Sequence, residues 1–287
     1  MAADMTLTGK GKVAGVIGWP IAHSLSPVLH GYWLRELDVD GALVPLAVAR
    51  ENFARVIRAL QQSGFQGVNV TLPHKEAAFA LADHADDGAK AAGAANLLIF
   101  HANGHVEARN TDMVGLRESL REKLVLKGRM VALLGAGGAA RGAVLALNAL
   151  GAGQIHILNR HVAKAQALAR ELAPLVRSQL LPGELQDWAK VAGGADLLVN
   201  ATSAGMKGHP PLALDLAPLR ASAAVLDIVY NPLETELLKN AKMRGHTVID
   251  GLGMLMHQAV PSFEAFFGVK PKVTPGLRAL LEQTLNG

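Results

Sequence analysis

The chain has no cysteine, few aromatic residues and no long apolar run, and each absence narrows what it can be. Without cysteine it forms no disulfides and offers no thiolate metal ligands, a composition suited to a reducing compartment. No stretch reaches the roughly 18 apolar residues of a membrane-spanning helix. The opening Met1-Ala2-Ala3-Asp4-Met5 lacks the charged-then-apolar layout of a secretory signal, so the expectation is a soluble, cytoplasmic protein without membrane attachment. Charged residues make up only 18% and the formal net charge is +4. There is no Lys/Arg block and no basic stripe interleaved with aromatics, which argues against nucleic acid as a partner. A mild positive excess suits anionic small molecules. The histidines prompt a search for a metal site, but His101 and His105 flank Asn103-Gly104, a hairpin-turn pair, with no third ligand at a recognisable spacing. Turn histidines and no metal are expected.

What is present is a 287-residue chain, half of it apolar, which exceeds the usual size of one domain and predicts two. Short apolar strand runs alternate with helical stretches: Val13 to Ile17, Gly41 to Val48, Val68 to Val70, Met130 to Leu134, Ile155 to Leu158, Leu197 to Val199, Val225 to Ile228 and Thr247 to Ile249. That rhythm predicts an α/β fold of βαβ units with largely parallel sheets. The stretch from Leu252 onward is helical and rich in Met and Phe.

The run Met130 to Leu134 leads into Gly135-Ala136-Gly137-Gly138-Ala139-Ala140-Arg141, and the spacing predicts a following amphipathic helix over Gly142 to Leu150. This is a G-x-G-x-x-A pattern. The first Gly makes the tight turn, the second lets backbone approach a pyrophosphate, and the small third residue permits close helix packing. Strand, Gly-rich turn, helix and second strand in that order predict a Rossmann-type, doubly wound nucleotide-binding domain. The second strand ends at Asn159-Arg160, where NAD-binding proteins usually place an acid against the ribose hydroxyls. Here the acid is missing, and Arg160 and Lys164 suit the 2′-phosphate of NADP.

Three further segments carry chemistry. In Asn69-Val70-Thr71-Leu72-Pro73-His74-Lys75, Pro73 is expected to open a helix through Leu81, which puts the Lys75 cation in a first turn that the helix dipole disfavours. Local rules tend to be broken at functional sites, and a lysine there suits acid/base work. In His23-Ser24-Leu25-Ser26-Pro27, Ser26 is expected to cap a helix with Pro27 at its first position. On an extended segment the Ser24 and Ser26 hydroxyls point the same way, toward a position for a carboxylate. Asn110-Thr111-Asp112 precedes a helix over Met113 to Leu124, and Asp112 is either its first-turn acid or a carboxylate that orients an ammonium such as that of Lys75.

Together with Asn200-Ala-Thr202-Ser203-Ala-Gly205-Met206, Asp227-Ile-Val-Tyr230 and Gly251-Leu-Gly253-Met254-Leu255-Met-His-Gln258, these motifs make the chain resemble the shikimate dehydrogenase family over almost its whole length. The resemblance implies NADPH-dependent, reversible reduction of 3-dehydroshikimate to shikimate on the route to aromatic amino acids. It implies a substrate-binding α/β domain over 1–111 plus 252–287 and an NADP-binding Rossmann domain over 112–251. Lys75 and Asp112 would be the catalytic pair. Ser24, Ser26 and Tyr230 would hold the substrate carboxylate, and Thr71, Asn96 and Gln258 the ring hydroxyls. The dinucleotide would contact Gly135, Ala136, Gly137, Gly138 and Ala139, then Asn159, Arg160, His161, Lys164, Ile228 and Gly251, with Asp87 near the nicotinamide side. The protein would act as a monomer or homodimer. Ala95-Asn96-Leu97 stands where the family has Val-Asn-Thr, Met113 where a Gly commonly follows Asn-Thr-Asp, and His161 where a Thr follows Asn-Arg. Leu97 and Met113 border expected site residues and bear on substrate identity, which leaves a quinate or dual quinate/shikimate dehydrogenase as the alternative, with a silent ligand-binding sensor behind it.

Overall fold

The computed structural model describes residues 7–121 and 123–286, so the opening Met1–Met5 read above lies outside the described residues. The chain divides into two compact units, one of residues 1–111 with 258–284 and one of residues 112–257 with 285–287. In chain order the first unit begins with β1 (Lys12–Gly18), α1 (Ser26–Glu36), β2 (Gly41–Ala47), α2 (Phe53–Gln62), β3 (Gly67–Val70), α3 (Lys75–Leu81), β4 (His84–Ala85), α4 (Asp87–Ala92), β5 (Leu97–Phe100) and β6 (Val106–Arg109). Next come α5 (Asp112–Arg121), β7 (Met130–Leu134), α6 (Gly138–Ala149), β8 (Gln154–Asn159), α7 (Val162–Leu172), β9 (Gln179–Glu184), α8 (Trp188–Ala192), β10 (Leu197–Asn200), β11 (Ala224–Asp227), α9 (Glu236–Met243) and β12 (Thr247–Ile249). The chain ends with α10 (Leu252–Phe267) and α11 (Pro275–Asn286). Among the described residues, no helix is long and apolar enough to cross a membrane.

The first sheet has the order β2-β1-β3-β5-β6-β4 and is mixed rather than largely parallel. β1 runs parallel to β2 and β3, whereas β3–β5 and β5–β6 are antiparallel. The antiparallel pair is a hairpin turning through His101 to His105, where Gly104 takes φ +84° and donates its N–H to His101. Its core gathers Ile17, Ile57, Val68, Leu98 and Val106.

The second sheet, β12-β11-β10-β7-β8-β9, is parallel throughout. β7 and β10 are buried almost end to end, which is why they read as unbroken apolar runs: a parallel strand covered by helices on both faces has no solvent side to alternate with. The strand order reverses between β7 and β10, the crevice where ligands of such sheets bind. The helix after the Gly-rich turn begins at Gly138 rather than Gly142. It is also buried around most of its surface, Ala140 and Gly142 through Leu147, rather than amphipathic, because its small side chains let it lie close to the sheet.

Candidate active site

In the first unit the sheet's antiparallel insertion brings distant segments to one edge. β5 runs antiparallel to β3, so its N-terminal neighbour Asn96 stands beside the C-terminal end of β3, where Val70 donates its N–H to the Asn96 carbonyl at 2.8 Å. Thr71 follows at once and donates its N–H to Ile17 of β1 at 2.9 Å. The turn from Thr71 to His74 is closed by the His74 N–H on the Thr71 carbonyl at 3.0 Å, and α3 starts at Lys75 with His74 as its N-cap. Pro73 therefore belongs to the turn and does not open the helix; Lys75 is the first helical residue. Its own carbonyl accepts from Ala95 at 2.9 Å, which fixes it next to Asn96. His74 is buried, stacks on Phe53 at a centroid distance of 4.7 Å, and places Nε2 2.7 Å from the Val48 carbonyl, anchoring the turn to the segment after β2.

Asn96 is the hub of this edge. Its Oδ1 accepts from the Thr111 N–H at 2.8 Å, and its Nδ2 donates to Thr111 Oγ1 at 3.0 Å and to Gln258 Oε1 at 3.3 Å. Thr111 Oγ1 also lies 3.2 Å from Gln258 Oε1. Two donors therefore converge on the Gln258 amide oxygen, which fixes that amide to the Asn96–Thr111 pair. Thr111 stood in a recognised motif but carried no expected role; nothing local in the sequence marks a threonine that a glutamine far along the chain will meet.

Ser24 and Ser26 stand just beyond β1, though not as expected. Leu25, not Ser26, is the N-cap, in a helical conformation (φ −83°, ψ −7°); Ser26 and Pro27 open α1, and no side chain caps it. Ser24 Oγ instead accepts the Ser26 N–H at 3.3 Å, so the segment is a serine turn rather than extended chain. Asp87 is exposed at the start of α4 and pairs with Lys90 at 3.9 Å. Its neighbour Asp86 does the local structural work, capping α4 through the Ala89 N–H at 2.6 Å and accepting the Asn110 N–H at 3.3 Å.

In the second unit the Gly-rich turn lies at the switch between β7 and β10. Gly135 is buried at φ +109°, and a side chain there would meet the Ala201 carbonyl at 3.0 Å. Gly137 and Gly138 are exposed, and a Cβ on either would meet nothing within 4 Å. The first i→i−4 bond of α6 is donated by Arg141 to Gly137, so the amides before it face the turn, and Gly137 supplies no side-chain cap to compete for them. An open glycine surface over a helix N-terminus fits a pyrophosphate. At the end of β8, Asn159 Nδ2 holds the His161 carbonyl at 3.0 Å, while the exposed Arg160 and Lys164 take no carboxylate partner among the described residues. Asp112 is the first residue of α5 and packs over Gly142 of α6, 3.7 Å from where a Cβ would stand.

Beyond β10 and β11 lies a buried polar network. Asp227 is fully buried; its Oδ1 accepts from Asn200 Nδ2 and from the Val229 N–H, both at 3.0 Å, and its Oδ2 from Thr235 Oγ1 at 2.7 Å. Burial outweighs these bonds and pushes its carboxyl up to about 6. Burial likewise raises the Tyr230 phenol, so it remains a neutral hydrogen-bond donor at ordinary pH. Gly251 lies against Ile228 so closely that a Cβ would fall 2.2 Å from the Ile228 carbonyl oxygen.

Residues 16–98 match the shikimate dehydrogenase substrate binding domain, residues 118–207 the shikimate / quinate 5-dehydrogenase family, and residues 251–281 the shikimate 5′-dehydrogenase C-terminal domain. The chain is 48% identical over 281 residues to a shikimate dehydrogenase (NADP(+)) of Paramagnetospirillum magneticum, covering 96% of this chain and 99% of that one. Among solved structures it is similar to the shikimate 5-dehydrogenase of Thermus thermophilus in complex with NADP(H) and shikimate (TM-score 0.82, 33% identity, 96% and 98% of the two chains). It is also similar to a quinate dehydrogenase of Corynebacterium glutamicum in complex with NAD (TM-score 0.86, 30% identity, 96% and 99%).

Proposed function

From the premise that the chain belongs to the shikimate dehydrogenase family, we propose that it reversibly reduces 3-dehydroshikimate to shikimate with NADPH, on the route to aromatic amino acids. The observation that carries the reading is the Thr71–Lys75 turn fixed beside the Asn96–Thr111–Gln258 cluster, in a chain whose close relatives carry that activity. Bound at the glycine turn, NADPH would supply the hydride for the carbonyl carbon. The chain's own residues bind and move the proton. Lys75 polarises the carbonyl oxygen and protonates it as the hydride arrives, and Asp112 orients the ammonium and takes part in the proton exchange. The Ser24 and Ser26 hydroxyls and the Tyr230 phenol hold the carboxylate, while Thr71, Asn96 and Gln258 bind ring hydroxyls. The Gly135–Ala139 turn would take the pyrophosphate, and Ile228, Gly251 and Asp87 would contact the dinucleotide toward its nicotinamide end.

Arg160 and Lys164 would select NADP: both are exposed without a carboxylate partner among the described residues, and they follow Asn159 rather than an acid at the ribose position, with His161 between them. The substrate-binding domain comprises 1–111 with the final segment from 252, and the nucleotide domain 112–251. The enzyme works in the cytoplasm as a monomer or homodimer, on a small molecule and not on nucleic acid.

The similarity to a quinate dehydrogenase, and Leu97 and Met113 at the edge of the site, favour quinate as the second substrate to try. Steady-state oxidation of shikimate and quinate, each with NADP and NAD, tests the reading. Highest kcat/KM is expected for shikimate with NADP; turnover of neither acid would overturn it.

A further inference from the structure

Two segments of the second unit that bear on the proposed chemistry, the 200–204 turn and residues 228–230, meet at one buried carboxylate to which no role has been given, and the Gly135 turn rests on the first of them. The Gly135 turn rests on Ala201, whose N–H bonds to Leu134 at 2.9 Å, and a side chain on Gly135 would also touch Thr202. Thr202 is held in turn by Asn200, whose Oδ1 accepts its N–H at 3.1 Å and its hydroxyl at 2.7 Å. Asn200 also reaches the Ala204 carbonyl at 3.3 Å and Asp227 Oδ1 at 3.0 Å. From the other side, the same carboxylate oxygen receives the Val229 N–H at 3.0 Å, between Ile228 and Tyr230, and the Ile228 N–H is tied to the Asn200 carbonyl at 3.1 Å. Behind it, Thr235 caps α9 and donates to Oδ2. Gly251 packs directly on the 228–229 backbone, where a Cβ would also fall 2.8 Å from the Val229 carbonyl oxygen.

We infer that Asp227 is a positioning residue, whose carboxylate locks the 201–204 turn to the 228–230 segment and so sets Ile228 and Tyr230 in place relative to the dinucleotide turn. A charged group at the core of a fold is costly, and a structural role alone would be filled as well by an apolar residue of similar size. What an apolar residue cannot do is receive donors from three separate segments at once. Two of its partners, Asn200 and Val229, belong to the segments that support the Gly135 turn and carry Ile228 and Tyr230, and the third, Thr235, ties the carboxylate to α9. The inference rests on the proposed roles of Ile228, Tyr230 and the Gly135 turn.

The test is NADPH binding, followed by the fluorescence of the reduced cofactor and so independent of turnover, together with KM and kcat for shikimate oxidation. Asp227→Ala leaves buried donors without their acceptor and should weaken NADPH binding by about tenfold or more and raise the shikimate KM. Asp227→Asn keeps the acceptor for Asn200 and Val229 and should stay within about threefold of wild type. If the alanine variant does not fold, Thr235→Val against Thr235→Ser decides, since Thr235 binds the carboxylate oxygen opposite the one that holds Asn200 and Val229; the valine should weaken NADPH and the serine should not. Folded Asp227→Ala or Thr235→Val protein with wild-type NADPH affinity and KM would overturn the inference. Wild-type protein that binds NADPH but oxidises neither shikimate nor quinate would instead refute the proposed function and leave the NADPH comparison standing.

Discussion

Lys75 opens α3 with its carbonyl bound to Ala95 and its turn anchored through His74, so its removal should disturb chemistry more than architecture. Lys75→Ala is expected to lower kcat by at least about 10²-fold with a comparatively small change in substrate affinity. Adding Asp112→Asn should cost far less than the product of the single losses, because groups that act as a unit are non-additive. Strictly multiplicative losses in that cycle would return Asp112 to the role of first-turn acid of α5. A second expectation concerns Arg160. A charge-assisted contact to a 2′-phosphate contributes about 1.5–3 kcal/mol, enough to favour NADP over NAD by one to two orders of magnitude. Arg160→Ala should erode that preference and leave kcat/KM with NAD nearly unchanged; a wild-type enzyme already faster with NAD defeats the assignment. Lys75 and Arg160 stood out in the sequence because each departs from a local rule, a cation in a first turn and a missing acid at a strand end, whereas Asp112 obeys one. Thr111, Asn200 and Asp227 were not legible, because their meaning lies in partners brought together only by folding.

Elements were legible where one physical signal dominated. β7 and β10 stood out as unbroken apolar runs, whereas β9 was hidden by Pro182 and Gly183, residues that argue against a strand unless it lies at a sheet edge, as β9 does. The Asn103-Gly104 turn was visible, yet β6 after it was not, since its alternation covers only two periods. The contact of α1 with α10 gives a pH prediction that neither helix suggests alone. His30 is fully buried among Trp33, Phe263, Phe266 and Phe267, both ring nitrogens lack a hydrogen-bond partner among the described residues, and burial pushes its imidazole down to about 3. The folded state holds the ring neutral while the unfolded chain protonates it near 6.5, so below that pH the unfolded state binds the extra proton. Stability from this group is therefore complete above about 6.5 and falls as the pH drops toward 3, by up to about 1.4 kcal/mol per pH unit. Denaturant melts between pH 4 and 7 should show this slope in the wild type and a flatter one in His30→Leu. Parallel slopes would mean that the ring is protonated in the folded state.

At the scale of the whole molecule, two units with separate sheets and separate cores make a single unfolding free energy a poor description, and they let each ligand be located independently. A ligand that binds only the native state stabilises it by about 2.7 kcal/mol at a hundredfold excess over Kd, and backbone amides at its site exchange more slowly in proportion. NADP alone should slow exchange in 135–141 and 159–164, where the glycine turn and the β8 end face solvent. Shikimate alone should slow it in 71–75 and 96–111, whose bonds run through Asn96 and Thr111. The two patterns come from different parts of the chain, so peptide-level hydrogen exchange with each ligand in turn separates the substrate assignment from the cofactor assignment in one experiment. NADP that protects 71–75 but not 159–164 would place the cofactor wrongly, whatever the activity assay reports. Shikimate that protects nothing in 96–111 would remove Asn96 and Gln258 from the substrate site while leaving the Gly135 turn untouched.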